Sequence, residues 1–346
     1  MLFRSFNNNI ALEIRLHDAI EDDLVVPFHY FGITEADGID LSNVNEDQID
    51  IITKKLSVHH RVTYIVEKLN LYGYEGCKLK ALGFCASHEH AQYMKDEFNA
   101  LGIRSDFISG LTSVNDRIKA IASLESDDAG TLEVIFSVDV FNEGIDIPSV
   151  NAVLMLRPTN SPIIFIQQLG RGLRKHESKT FVTVLDFIGN YKKSFLIAIA
   201  LNGSKYIDKD SLRVSVKTNF ANLPGTAFVQ MDEIAKEKIL KQLESENFNS
   251  LKYLKDEYFS FKRQNNNQIP YFLMLYELFE GSPDPIKFIK KDGNYLSFIN
   301  RVEDSSLLNT QPFTLNQIKA LKQLSTMLPL RRPIEFIILQ LLIEFE

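Results

Sequence analysis

The run Gln167-Gln168-Leu169-Gly170-Arg171-Gly172-Leu173-Arg174 sets two arginines three apart among glycines. On a helix, residues three apart share a face. A guanidinium is planar and permanently charged, so such a pair suits a phosphate whose charge grows during transfer. An isolated G-R-x-x-R is also a common end for a solvated basic helix, so the pair takes its meaning from its surroundings. Upstream stands Glu143-Gly144-Ile145-Asp146, just after an apolar run that ends at Ser137. Gly144 permits close backbone approach. Asp146 can accept hydrogen bonds, or it can serve as a plain turn residue ahead of Pro148.

Elements able to position these groups are legible around them. Apolar stretches at 79–86, 104–108, 132–137, 151–156 and 180–187 read as strands. Helical patterns at 88–101, 113–124, 162–170 and 191–201 separate them. Such alternation implies a parallel sheet covered on both faces. Ligands of these sheets lie at the strands' carboxyl ends, where Ser87, Ser137 and Arg157 fall. Ahead of this region, 24–32 reads as a strand, with Pro27 suggesting an edge or a bulge. The stretch 47–71 reads as helix with a break. Beyond residue 203 the pattern changes. Residues 204–230 read as a linker or short hairpin, and 231–346 as an all-α domain of short helices at 232–245, 251–262, 270–279, 286–290, 295–302, 315–327 and 334–345.

The order of the motifs resembles motifs IV, V and VI of superfamily 2 helicases, the DEAD/DEAH-box group, and within it the bacterial restriction-type helicases. Gln167, Gly170, Arg171 and Arg174 match motif VI, Q-x-x-G-R-x-x-R. Ser137 and Gly144-Ile145-Asp146 match motif V, with serine where many members have threonine. Ala81-Leu82-Gly83-Phe84-Cys85-Ala86-Ser87 resembles motif IV. The resemblance implies a RecA-like α/β fold over 21–203 and a helical appendix after it, with residues 1–20 as a remnant of a first motor domain or its linker. It implies that ATP binds between two such domains. Arg171 and Arg174 would then be fingers on the γ-phosphate. Gln167, Gly170, Gly144 and Asp146 would line the nucleotide cleft, and Ser87, Ser137 and Arg157 would contact nucleic-acid phosphate. Arg157 can equally pair with a neighbouring carboxylate.

The chain has no G-x-x-x-x-G-K-[ST] and no Gly-Lys dipeptide. Its Asp-Glu pairs at 96–97, 232–233 and 256–257 fall in helical patterns, not after an apolar strand. ATP and magnesium are therefore expected to be held mainly by an absent first domain, and the chain alone is expected to be inactive. The expected function is the C-terminal motor half of an ATP-dependent helicase or translocase, with DNA as partner in preference to RNA. The alternatives are a non-enzymatic nucleic-acid or protein interaction module and an unrelated nucleotide-binding α/β enzyme. Motif VI beside motif V argues against the second alternative.

Composition sets the outer bounds. With 346 residues and 45% apolar content, the chain can bury a sizeable core in about two domains. Net charge is −7, so any nucleic-acid contact must be a local patch. Residues 151–217 hold eleven Lys and Arg against four acids, an excess of seven positive charges. The two cysteines and seven histidines lack metal-ligand spacing, so no metal site is expected. Neither a signal peptide nor a membrane-length apolar run is present, so the expected location is cytoplasmic.

Overall fold

The computed structural model describes residues 16–45, 48–138, 147–158, 161–188, 193–202, 209–264, 267–270, 283–303 and 315–326. The chain divides into two compact units, Met1–Glu246 and Asn247–Glu346.

In the first unit α1 (Leu16–Glu21) precedes β1 (Phe28–Thr34). Then come α2 (Ile49–Leu56), α3 (His59–Tyr72), β2 (Ala81–Phe84), α4 (His88–Ala100), β3 (Ser105–Ile108), α5 (Val114–Glu125), β4 (Val134–Ser137) and β5 (Ala152–Met155). The unit continues with α6 (Pro162–Gly172), β6 (Val182–Ile188), α7 (Phe195–Asn202), α8 (Lys209–Lys217), β7 (Phe228–Met231) and α9 (Glu233–Ser245). The strands form one seven-stranded sheet in the order β3-β4-β2-β5-β6-β1-β7. Every pairing is parallel.

Parallel strands covered on both faces need continuous apolar sequence. All four residues of β2, β4 and β5 and all seven of β6 are buried. On one face α3 and α4 lay Val62, Ile65, Leu69, Ala91, Met94 and Phe98 over Ala81, Phe136, Leu154, Leu185 and Phe187. Gly83 is required there: a Cβ would stand 2.5 Å from the Phe136 ring, which packs edge-on against Phe98 at 5.0 Å. Serine caps begin two of the helices. Ser87 Oγ accepts from the His90 N–H and Ser113 Oγ from the Asp116 N–H.

Two readings of the sequence change. β1 is an interior strand between β6 and β7, so Pro27 marks no edge. It lies just ahead of β1, where its carbonyl accepts from the Val182 N–H, and a missing donor at a strand's start costs nothing to the ladder. The stretch 204–230, read as a linker or short hairpin, contributes α8 and most of the edge strand β7, which pairs parallel with β1. A four-residue strand with alternate exposure carries too short a pattern to stand out.

The second unit is helical among its described residues: α10 (Leu251–Gln264), α11 (Pro285–Asp292), α12 (Tyr295–Val302) and α13 (Leu315–Thr326). Tyr258, Phe288 and Phe298 form its aromatic centre. Buried Glu303 accepts from Tyr258 Oη and from Lys262 Nζ, each at 2.7 Å. Asp284 and Asn294 cap α11 and α12. The helices expected over 270–279 and 334–345 lie outside the described residues, apart from Pro270 at the first one's start.

Candidate functional site

The carboxyl ends of β2, β4 and β5 bring three expected residues to one edge. Ser87 is buried, and its hydroxyl accepts from the His90 N–H at 3.1 Å and from Thr53 Oγ1 at 2.7 Å. It is thus a helix cap first. Ser137 ends β4 beside it. The Ser137 carbonyl accepts from the Cys85 N–H, while its fully buried hydroxyl has no hydrogen-bond partner. Such a group costs free energy until something pairs with it. Arg157 follows β5 and is half-buried. Burial pushes the Cys85 thiol up to about 12, against the opposing influence of the Arg61 and Arg157 charges.

Arg61 is a residue that motif reading missed. It lies on α3 at 1% exposure. Its Nε donates to Glu35 Oε1 (3.0 Å), and its Nη2 to Glu35 Oε2 (2.9 Å) and to the Leu156 carbonyl (3.2 Å). The fork ties the end of β1 to the end of β5, just before Arg157. Buried His90 accepts from the Ala86 N–H through Nδ1. Burial, with Arg61 adding to it, holds this imidazole well below its usual range, so it is neutral. The one available signal was a polar residue in register with Ile65 and Leu69 on the apolar face of α3.

Asp186 sits within β6, fully buried, with Tyr30 Oη donating to its Oδ2 at 2.7 Å. Its Oδ1 has no partner. Burial raises its carboxyl to about 7 despite the tyrosine bond. The Tyr30 ring stands edge-on to Phe165 of α6, so the pair lies beneath the helix that carries the arginines.

On α6, Gln167 and Gly170 are exposed and Arg171 is half-buried, while Phe165, Gln168 and Leu169 face inward. The helix ends at Gly172, so Arg174 lies exposed in the turn beyond it. A crossover helix runs back antiparallel to its strands. Its last turn therefore reaches the amino ends of β5 and β6: a Cβ on Gly172 would stand 2.9 Å from Val153 Cγ2 and 3.1 Å from Val182 Cγ1. Arg171 and Arg174 thus stand at the far end of α6 from the sheet's carboxyl edge. They stand about 16 Å away along an eleven-residue helix. Gly144 and Asp146 lie outside the described residues.

A cavity of about 480 Å³ opens at the ends of β1 and β7, lined by Thr34, Glu35, Asp37, Tyr64, Asp232 and Glu233. Its acids have the wrong sign for phosphate. Burial, with Asp232 and Glu35 adding to it, pushes the Tyr64 phenol up to about 12. Among the described residues no group of three or more metal-ligating side chains occurs, and no helix is long and apolar enough to cross a membrane.

Residues 63–176 match the family described as the helicase conserved C-terminal domain. Over those residues the chain is similar to the conserved C-terminal domain of helicases. IRC3 of Saccharomyces cerevisiae, named as an ATP-dependent helicase, is 30% identical over 175 residues, which are 50% of this chain and 25% of that protein. A 51.5 kDa protein of a Lactococcus phage is 25% identical over 172 residues, 50% of this chain and 36% of its own. The chain therefore spans about a quarter to a third of the length of these relatives. Among solved structures, the Type ISP restriction-modification enzyme LlaBIII bound to DNA is similar over 93% of this chain and 23% of its own, at 16% identity and a TM-score of 0.45. The match of the helicase C-terminal family begins on α3 and ends past Arg174, so it contains the motif IV and motif VI residues on which the resemblance rests.

Proposed function

We propose that this chain supplies the second half of an ATP-driven nucleic-acid motor, with a nucleotide face on α6 and a nucleic-acid edge at the ends of β2, β4 and β5. The observation that carries the nucleotide face is the outward stripe Gln167, Gly170, Arg171 and Arg174 on and just past α6. Nothing lies within 4 Å of where a Gly170 Cβ would be, so a phosphate can approach the helix backbone there. Arg171 and Arg174 would contact the γ-phosphate and stabilise charge as it spreads in transfer. Gln167 would hydrogen-bond in the same cleft, and the resemblance assigns Gly144 and Asp146 to the nucleotide as well.

ATP with magnesium supplies the transferable phosphoryl group. Most of its binding falls to a first RecA-like domain, because this sequence has no phosphate loop. At the other edge, the unpaired Ser137 hydroxyl supports a contact to a phosphate oxygen, with Ser87 and Arg157 flanking it. Such contacts position a strand without reading its sequence. DNA is the proposed partner, as the resemblance to restriction-type helicases implies.

The test is phosphate release by the chain with ATP, magnesium and single-stranded DNA. Negligible turnover is expected. Robust magnesium-dependent hydrolysis that Arg171→Ala abolishes would mean that the chain holds a complete site of its own, and the half-site reading would fall.

A further inference from the structure

Arg171 at the end of α6 and Arg174 just past it differ from ordinary surface arginines in how firmly their backbone is held. Between them lies Gly172, pressed against Val153 and Val182. Leu173 is fully buried, and its carbonyl accepts from the Val26 N–H at 2.8 Å. Beneath the same turn lies Lys179, a lysine at 4% exposure. Its Nζ donates to the Gly172 carbonyl at 2.7 Å and to the Val150 carbonyl at 2.5 Å.

Burying an ammonium group is costly, and lysine almost never occupies such a position without a compensating set of acceptors. Gly172 O is among the last carbonyls of α6, which have no partner within the helix. A cation there also meets the negative end of the helix dipole. The Val150 carbonyl belongs to the turn ahead of β5. One ammonium thus joins the end of α6 to the sheet's amino edge, through the Gly172–Leu173 peptide group between the two arginines.

We propose that Lys179 is the positioning residue of the arginine pair: it fixes the peptide between Arg171 and Arg174, and so fixes where both guanidinium groups point. This deepens the reading of that pair as the phosphate-contacting arginines and rests on it. Lys179 itself touches no phosphate in this scheme. Methionine has a similar length and no charge to bury, so Lys179→Met leaves an apolar contact in place of a buried cation. The substitution leaves the Gly172 and Val150 carbonyls without this donor, which lowers folding stability, and it releases the direction of the turn.

The test uses the whole 346-residue chain, labelled with nitrogen-15, and follows the arginine Nε–H signals of Arg171 and Arg174. Without ligand, both signals should be those of ordered side chains in the native chain. In Lys179→Met they should collapse toward the averaged position of free arginine, while the backbone amide signals of Leu82 and Leu185 stay in place. Lys179→Arg keeps donors at the site and should restore part of the order. Gly172→Ala, which pushes the same turn off the sheet, should reproduce the loss by a different route. Titration with magnesium-ATP should shift both arginine signals in the native chain. In Lys179→Met the same titration should leave both signals at their averaged position.

Ordered arginine signals in Lys179→Met would overturn the positioning role. So would a variant that unfolds, since Lys179 would then hold the fold and not the pair. If Lys179→Met disorders the arginines but ATP moves neither signal in the native chain, the positioning role stands and the nucleotide reading of α6 fails.

Discussion

At the scale of the residue, the proposed chemistry depends on charge that appears only in the transition state. Arg171→Ala or Arg174→Ala, placed in the motor that contains this chain, should leave ATP binding nearly intact and lower kcat by about 10³–10⁵, the range for arginine fingers. A finger gains most as charge spreads over the moving phosphoryl, so its loss appears in kcat more than in KM. Lysine at either position should rescue poorly, because a point charge cannot form the planar fork. Steady-state ATPase alongside a melting curve checks this. Near-normal kcat, or an unfolded variant, would make the residue structural.

Asp186 gives a second residue-scale outcome, in stability. Its folded-state carboxyl titrates at about 7, above the ordinary 3.8, because burial penalises the charge. Between those values the folded chain keeps a proton that the unfolded chain has released. Stability should therefore fall as pH rises from about 4 to about 7, by up to about 4 kcal/mol at about 1.4 kcal/mol per unit. Above about 7 both states are ionised and the loss is complete. Asp186→Asn keeps an acceptor for Tyr30 and has no proton to lose. Urea midpoints at about pH 4 and just above pH 7, the two ends of that window, should thus differ less in the variant than in the native chain. Equal slopes would show that Asp186 is not the group that titrates.

At the scale of the element, close approach decides which substitutions the sheet tolerates. Gly83→Ala would put a Cβ 2.5 Å from the Phe136 ring, and Phe98 blocks the ring's retreat. Overpacking of this kind costs about 1–3 kcal/mol, and the absence of any flexible side-chain end to yield points to the upper part of that range. Ser113→Ala, which removes only the cap of α5, should cost about 1 kcal/mol. Thermal melts of the two variants check the order. Most elements were legible in sequence because their periods are strong: β6 is an unbroken apolar run apart from Thr183 and Asp186, and α4 and α5 open on serine caps. β7 was not legible. Its place is set by pairing with β1, roughly two hundred residues upstream, and no local pattern records that.

At the scale of the whole molecule, the acidic chain must concentrate any nucleic-acid binding locally. The excess of positive charge in 151–217 is partly spent within the fold. Lys175 pairs with Asp23 at 2.6 Å, Arg213 meets Glu244 at 3.4 Å and Asp210 at 3.6 Å, and Lys179 is buried. Fewer cations than the count suggests are left for phosphate. Binding of single-stranded DNA should therefore be weak and should fall steeply as salt competes for the phosphates. Fluorescence anisotropy at low and moderate salt measures it, and tight binding indifferent to salt would contradict a phosphate-led mode.

The sequence by itself determined the alternation of strand and helix, the parallel sheet and the identity of the motifs, because period and residue type are local properties. It also supplied the chemical argument for Arg171 and Arg174, since a guanidinium keeps its charge in any surroundings. The tertiary structure alone decided where these groups stand. The returning course of α6 carries the arginines to the amino ends of β5 and β6, away from Ser87 and Ser137 at the opposite edge. Burial turned Lys179 from an apparent surface cation into a clamp on the Gly172 carbonyl, and Arg61 into a tie between the ends of β1 and β5. These roles depend on which distant backbone atoms a side chain meets and how much water is left around it, and neither is written in the spacing of residues along the chain.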